Sequence, residues 1–261
     1  ALNLAYSTVL SHVGAGVLVR GSSEGALVGG SSDADQEGPV VKRQKRSGAL
    51  FDAINCTFSN SHGPGVAAQG QAKSFLDRCI LVANLDAGVL ALTGAKVAMK
   101  SCTIMDNSKQ GVAAESGASV TMEGCNFTAN WMQGLATGSG ARIQATKCRV
   151  VTSCLAGVAS FGAKSSISLE TCMVLGSMRS GVTAQEGGLV QMKNSMVRGS
   201  GAGGVLAVHS GSRVELDTCV VDSNRLRAIH QIHGGVVEVG SSQISDFMDD
   251  SCMHLARQWV E

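Results

Sequence analysis

Three residues at one recurring place in the chain have the types that acid/base chemistry needs. Glu186, His209 and His233 each follow a repeated position, held by Cys172, Ser195 and Cys219, at the same distance. A histidine between a carboxylate and a second imidazole can pass a proton or take up a metal ion. Arg213 stands close by, and Glu215, Asp217 and Glu238 alternate along the neighbouring stretch. The spacing predicts that the three stack at one turn on successive repeats. Polar residues at turns are most often solvated, so these four (Glu186, His209, His233, Arg213) are weak candidates and no catalytic residue is assigned.

The second candidate chemistry is that of sulfur. The chain has nine cysteines. Those at 56, 79, 102, 125, 148, 172 and 219 occupy one repeat position, with Ser195 and Ser242 keeping the frame. Buried free thiols acting as small hydrophobes are the expected reading. Disulfides between neighbouring repeats are the alternative, because stacked strands lie about 4.8 Å apart, within bridging reach. Zinc is disfavoured, since no Cys-x-x-Cys pair or partner histidine recurs with the column. Neither a metal nor a cofactor is expected. A free-thiol column favours a reducing compartment, and the compartment otherwise stays open.

The elements that must position these residues are short strands. One carries Gly-Val or Gly-Leu (Gly65, Gly88, Gly111, Gly134, Gly157, Gly181, Gly204), one alternates apolar residues such as Val97/Met99 and Val120/Met122, and one carries the cysteine and the residue two later. Alternation at period two, punctuated by glycine, means strands rather than helices. Three strands per 23–24-residue period make one coil of a parallel β-solenoid. An alanine column (Ala68, Ala91, Ala114, Ala184, Ala207) suits a narrow interior, as does an aromatic content of 3%. Asn84, Asn107, Asn130 and Asn224 share one turn position, where an asparagine in left-handed conformation is expected. The leucine-rich pattern that could also give this period is absent.

Asn-x-x-x-Gly-Val followed by Gly-x-x-Val-x-Met-x-x-Cys resembles right-handed parallel β-helix repeats of the pectin-lyase-like superfamily. The short coils are most similar to its carbohydrate-binding and sugar-hydrolase type, also seen in some F-box and spindle-associated proteins. The resemblance spans roughly residues 7–246 and implies an all-β, right-handed, single-stranded β-helix of about ten coils. It also implies that enzymes of this fold carry carboxylate clusters and long loops. The Asn-Thr-Asp and Arg-Ile-Lys motifs of its hydrolases do not occur here, Asp249-Asp250 falls after the repeats, and His62-Gly63 lies far before that acidic pair. Nothing catalytic is therefore carried over.

Departures from the frame remain. Ser7–Val9 and Gly16–Val19 match the repeat, so the chain opens inside a coil without an evident cap, as a fragment would or a chain whose end a partner covers. Ser31–Gly38 and the basic run Lys42, Arg43, Lys45, Arg46 interrupt the frame. Counting back by 23 residues to Ser47–Ala49 makes this an insertion of only three or four residues in one turn, a solvated loop. Residues 247–261 leave the repeat, and a short helix capping the last coil is expected there, closing the single domain 1–246.

A net charge of +1 gives no field for nucleic acid. No apolar run is long enough for a membrane helix, and residues 4–19 lack the basic flank of a signal peptide. What does stand out is an apolar outer strand face: Ile80, Val82, Met105, Val151, Met173, Leu175, Met196 and Val220. Such stripes usually have a use. The expected role is a non-catalytic scaffold or recognition module of a larger protein or assembly, binding a protein partner through this face. A carbohydrate-binding or carbohydrate-active β-helix with a site near Glu186, His209 and His233 is the alternative, with a polysaccharide as its ligand.

Overall fold

The computed structural model describes residues 2–5, 8–10, 16–22, 25–29 and 50–246. Every described element is a strand, and the strands form three ten-stranded sheets. A middle coil shows the plan. Lys96–Lys100 lies in sheet A, Thr103–Met105 in sheet B and Val112–Ala114 in sheet C. Each pairs in parallel with its counterpart one coil on, as Val97 with Val120, Ile104 with Phe127 and Val112 with Leu135. Nine coils are complete, and Val236–Val239 and Gln243–Ile244 begin a tenth. None of the described residues forms a helix long and apolar enough to cross a membrane.

Three sharp corners per coil make this closure. Ser101 turns the chain from sheet A to sheet B, Asp106 leads out of sheet B, and Ser116-Gly117 turns from sheet C back to sheet A. All four have positive φ. L-residues enter that region at a cost of about 1–2 kcal/mol each, which the parallel ladders on both sides must offset. Inward side chains fill the tube. Val97, Met99, Ile104, Val112 and Ala114 of that coil are buried, and so is the alanine column. The interior admits few rings: Phe51, Phe58 and Phe127 are fully buried, the first two in an edge contact at 6.4 Å.

The asparagines differ from expectation. The left-handed residue at that corner is the one before, at Ala83, Asp106, Ala129 and Ser223. Asn84, Asn107, Asn130 and Asn224 instead point inward with no exposed surface. Asn84 Nδ2 donates to Asn107 Oδ1 at 2.9 Å and to the Phe58 carbonyl at 3.2 Å. Asn107 repeats the pattern with Asn130 and Leu81. The buried amides satisfy one another and the backbone from coil to coil, which a turn-forming asparagine at the surface would not do.

The size of the interruption also differs. Val9 pairs with Phe58 and Val17 with Val66, so the first and second coils are direct neighbours. More than a full coil of chain lies between them, rather than three or four residues. Part of it, Gly25–Gly29, pairs antiparallel with Val17–Ser22 at the edge of sheet C. An added antiparallel strand is one way to occupy an open edge. The whole of 31–46, with the basic run Lys42–Arg46, and the segment expected to cap the last coil, 247–261, lie outside the described residues.

Candidate functional site

The cysteine column is structural. Cys56, Cys79, Cys102, Cys125, Cys148, Cys172 and Cys219 are all buried and unbridged. Cys102 Sγ donates to the Leu76 carbonyl one coil back (3.4 Å) and to the Lys100 carbonyl (3.3 Å). Ser195 makes the same two contacts, to Leu169 and Lys193, and accepts from the Cys172 N–H at 3.0 Å. The thiol on the adjacent coil and then burial push Cys79, Cys125 and Cys172 up, and burial is the first cause at Cys219. Cys102 and Cys148 stand between two thiols that can donate to a thiolate, which works in the opposite direction. The neighbouring thiol and burial hold Cys79, Cys125 and Cys172, and burial holds Cys219, on the protonated and unreactive side.

The weak acid/base candidates do stack. Register pairs Gln185 with Val208 and Val208 with Ile232, which puts Glu186, His209 and His233 one above the other. The imidazoles of His209 and His233 lie 6.0 Å apart and nearly parallel, at 15°. All three residues are exposed and sit at positive φ. Arg213 turns away from them. It pairs with Glu215 at 2.8 Å and with Glu238 on sheet A, where Gln191 also donates to Glu215 at 2.7 Å. Gln191, Glu215 and Glu238 line a shallow depression of about 610 Å³ with Glu170, Lys193 and Asp217, so that four carboxylates surround a single lysine. Among the described residues no three His, Cys, Asp or Glu side chains come together to hold a metal ion.

The apolar face is present as expected from the spacing. On sheet B, Ile80 and Met173 are each 42% exposed, and Val82, Met105, Val151, Leu175, Met196 and Val220 are half-buried on the same outer side. Asn126, Thr128 and Arg149 interrupt it. The larger part is therefore Val151, Met173, Leu175, Met196 and Val220, in two adjoining columns. At its border Arg198 and Asp222 form a paired contact at 2.6 Å, and the guanidinium holds the Asp222 carboxyl below the usual carboxylate range.

Sheet C carries a groove of about 570 Å³ on its outer side. Ala159, Thr183 and Leu206 form its floor, and Phe161 and Gln185 one side. Gln133, Leu155, Arg179 and Ser180 rise on the other from the turns between sheets B and C.

Residues 40–184, more than half of the chain, match the family model described as right handed beta helix region. The chain belongs to the right-handed β-helix family. No curated protein matches it significantly. Among solved structures, the periplasmic alginate epimerase AlgG is 10% identical, with a TM-score of 0.55 over 72% of this chain and 45% of that one. A single-residue mutant of the same epimerase gives 13% identity and a TM-score of 0.63 over 78% and 52%. The A-module of the Azotobacter vinelandii mannuronan C-5 epimerase AlgE4 gives 13% and 0.52 over 77% and 59%. The β-helix thus spans about half the length of the structures it resembles, and at these identities the likeness is one of fold. Those structures are of alginate and mannuronan epimerases, with which this chain shares the right-handed β-helix fold.

Sequence reasoning missed the turns between sheets B and C. Leu85, Trp131 and Met178 are 56%, 67% and 65% exposed. They stand in one column, with Ser108 and Cys154 between them, because each N–H bonds to the carbonyl just after the corner residue one coil back: Leu85 to Ser61, Trp131 to Asn107, Met178 to Ser153. Each directly follows a member of the asparagine column or a serine standing in for it. The same frame that located the cysteines would have found this ridge.

Proposed function

We propose that this β-helix is a non-catalytic recognition module whose outer face on sheet B holds a protein partner. One observation carries the reading: Val151, Met173, Leu175, Met196 and Val220 adjoin on a single face, with Met173 substantially exposed. Neighbouring coils supply like side chains at strand spacing, so the patch is flat and rigid. A flat apolar surface set on rigid strands suits protein contact. Methionine adapts to the shape of what it meets.

The test is a photo-crosslinking residue at position 175 in the full chain, expressed in its native cell. Crosslinks to protein are expected there and not at Gln144, on sheet A. Met173→Glu with Met196→Glu is expected to abolish them and leave the melting temperature unchanged. A position 175 that crosslinks no more than position 144 overturns the proposal. A carbohydrate site near Glu186, His209 and His233 is the second reading, favoured by the stacked imidazoles. Its signature is oligosaccharide binding or turnover lost in His209→Ala.

A further inference from the structure

We infer that the groove on sheet C binds an acidic peptide segment bearing apolar side chains, supplied by a partner protein. This rests on the reading that the β-helix recognises protein, and it adds a second contact with its own chemistry. The Gln133 side chain lines the groove, is 7% exposed, and its Oε1 has no hydrogen-bond partner. An unpaired buried acceptor asks for a donor, and a peptide offers an N–H at every residue. Arg179 on the same wall has no carboxylate partner among the described residues, and none of the groove's lining residues is acidic.

Two further cations, with no carboxylate partner among the described residues, extend the wall. The N–H groups of Gly157, Gly181 and Gly204 bond to the carbonyls of Ser180, Gly203 and Arg227, which places Arg227 in Ser180's column. Arg225 stands two residues before it, and both are exposed. The cationic wall is thus matched to negative charge. The floor is matched to apolar side chains, since Ala159 and Leu206 lie along it and Leu155 stands beside it. Trp131 and Met178 stand on the ridge next to this wall. Leu155, Ala159, Phe161 and Leu206 offer apolar contact that the side chains of a peptide use and an acidic saccharide does not, which favours the peptide.

The experiment probes purified chain with synthetic peptides alternating Asp or Glu with Leu, Ile or Phe, titrated by fluorescence anisotropy. Charge-reversed Lys/Arg peptides and oligogalacturonate serve as the other arms. Binding of the acidic peptides alone is expected, weaker at high salt and about tenfold weaker in Arg179→Glu. Gln133→Leu is expected to weaken binding while keeping the melting temperature, because it removes an unpaired acceptor. Oligogalacturonate binding without peptide binding overturns the inference in favour of a saccharide groove, and binding of neither overturns it outright. Met173→Glu with Met196→Glu should leave peptide binding intact. Loss of groove binding with sheet B crosslinks retained defeats this inference alone, whereas absent crosslinks with peptide binding retained defeat the sheet B proposal alone.

Discussion

Serine replaces cysteine at position 195 without any change in the bonds around it. The hydroxyl stands between the equivalent two carbonyls, 2.7 Å from that of Lys193 and 3.5 Å from that of Leu169, and accepts the equivalent backbone N–H. What the column requires is a small donor of low polarity, and sulfur reactivity is not part of it. The asparagine column is more demanding. Asn107 Oδ1 accepts from both Nδ2 and N of Asn84, and its Nδ2 serves Leu81 and Asn130. Cys102→Ser is expected to cost less than about 1 kcal/mol, and Asn107→Ala about 2–4 kcal/mol, as several buried groups lose partners at once. Denaturant melts of the two variants check the order. Alkylation of the native chain, mapped by mass spectrometry, should reach half-exposed Cys154 before any thiol of the buried column. The cysteines could be read from sequence because small, apolar and equally spaced residues have one natural place in a solenoid. The asparagines were misread because a turn residue and a buried ladder residue next to the turn have the same spacing.

Two glycines separate the reasons a coil needs this residue. Gly111 immediately precedes a sheet C strand, and a Cβ there would sit 2.6 Å from the Gly134 carbonyl oxygen and 2.9 Å from Phe127. Neither can retreat, since one is ladder backbone and the other a fully buried ring. Gly117 has open space around its Cα, but its φ is +73°. Gly111→Ala is therefore expected to cost about 3 kcal/mol or more through overpacking, and Gly117→Ala only about 1 kcal/mol through backbone strain. Thermal melts should rank them in that order, and the reverse order would mean that the stack yields more readily than the turn. Strand positions were legible because Gly-Val and the alternating apolar pairs mark both the period and the inward side. The groove on sheet C was not. Its floor and walls come from four consecutive coils, and Gln133 and Arg179 acquire meaning only when those coils are stacked.

A solenoid is close to one-dimensional, since each coil touches only its neighbours and stability accumulates along the stack. That explains why the fold was legible from Ser47 to Asp246 and why the count failed before it. A repeat frame records where each coil begins but says nothing of how much chain lies outside the tube between two coils. The frame holds at this end, as the pairing of Thr8–Leu10 with 57–59 and of Val17–Val19 with 66–68 shows, while the length assigned to the excursion does not. The same independence makes a prediction about the whole molecule. Removing Thr103–Cys125, one full period, brings Asn126 directly after Cys102. It aligns the next coil on the one before in the register each strand already uses. The asparagine and cysteine columns each lose one member and close again. Removing only Thr103–Gly111 puts a sheet C strand where a sheet B strand must pair, so inward and outward faces no longer meet their counterparts. The full-period deletion is expected to give a soluble, cooperatively melting protein with unchanged strand content per residue by circular dichroism. The part-period deletion is expected to aggregate or to lose strand signal. Equal behaviour of the two would show that the coil is not the unit from which this molecule is built.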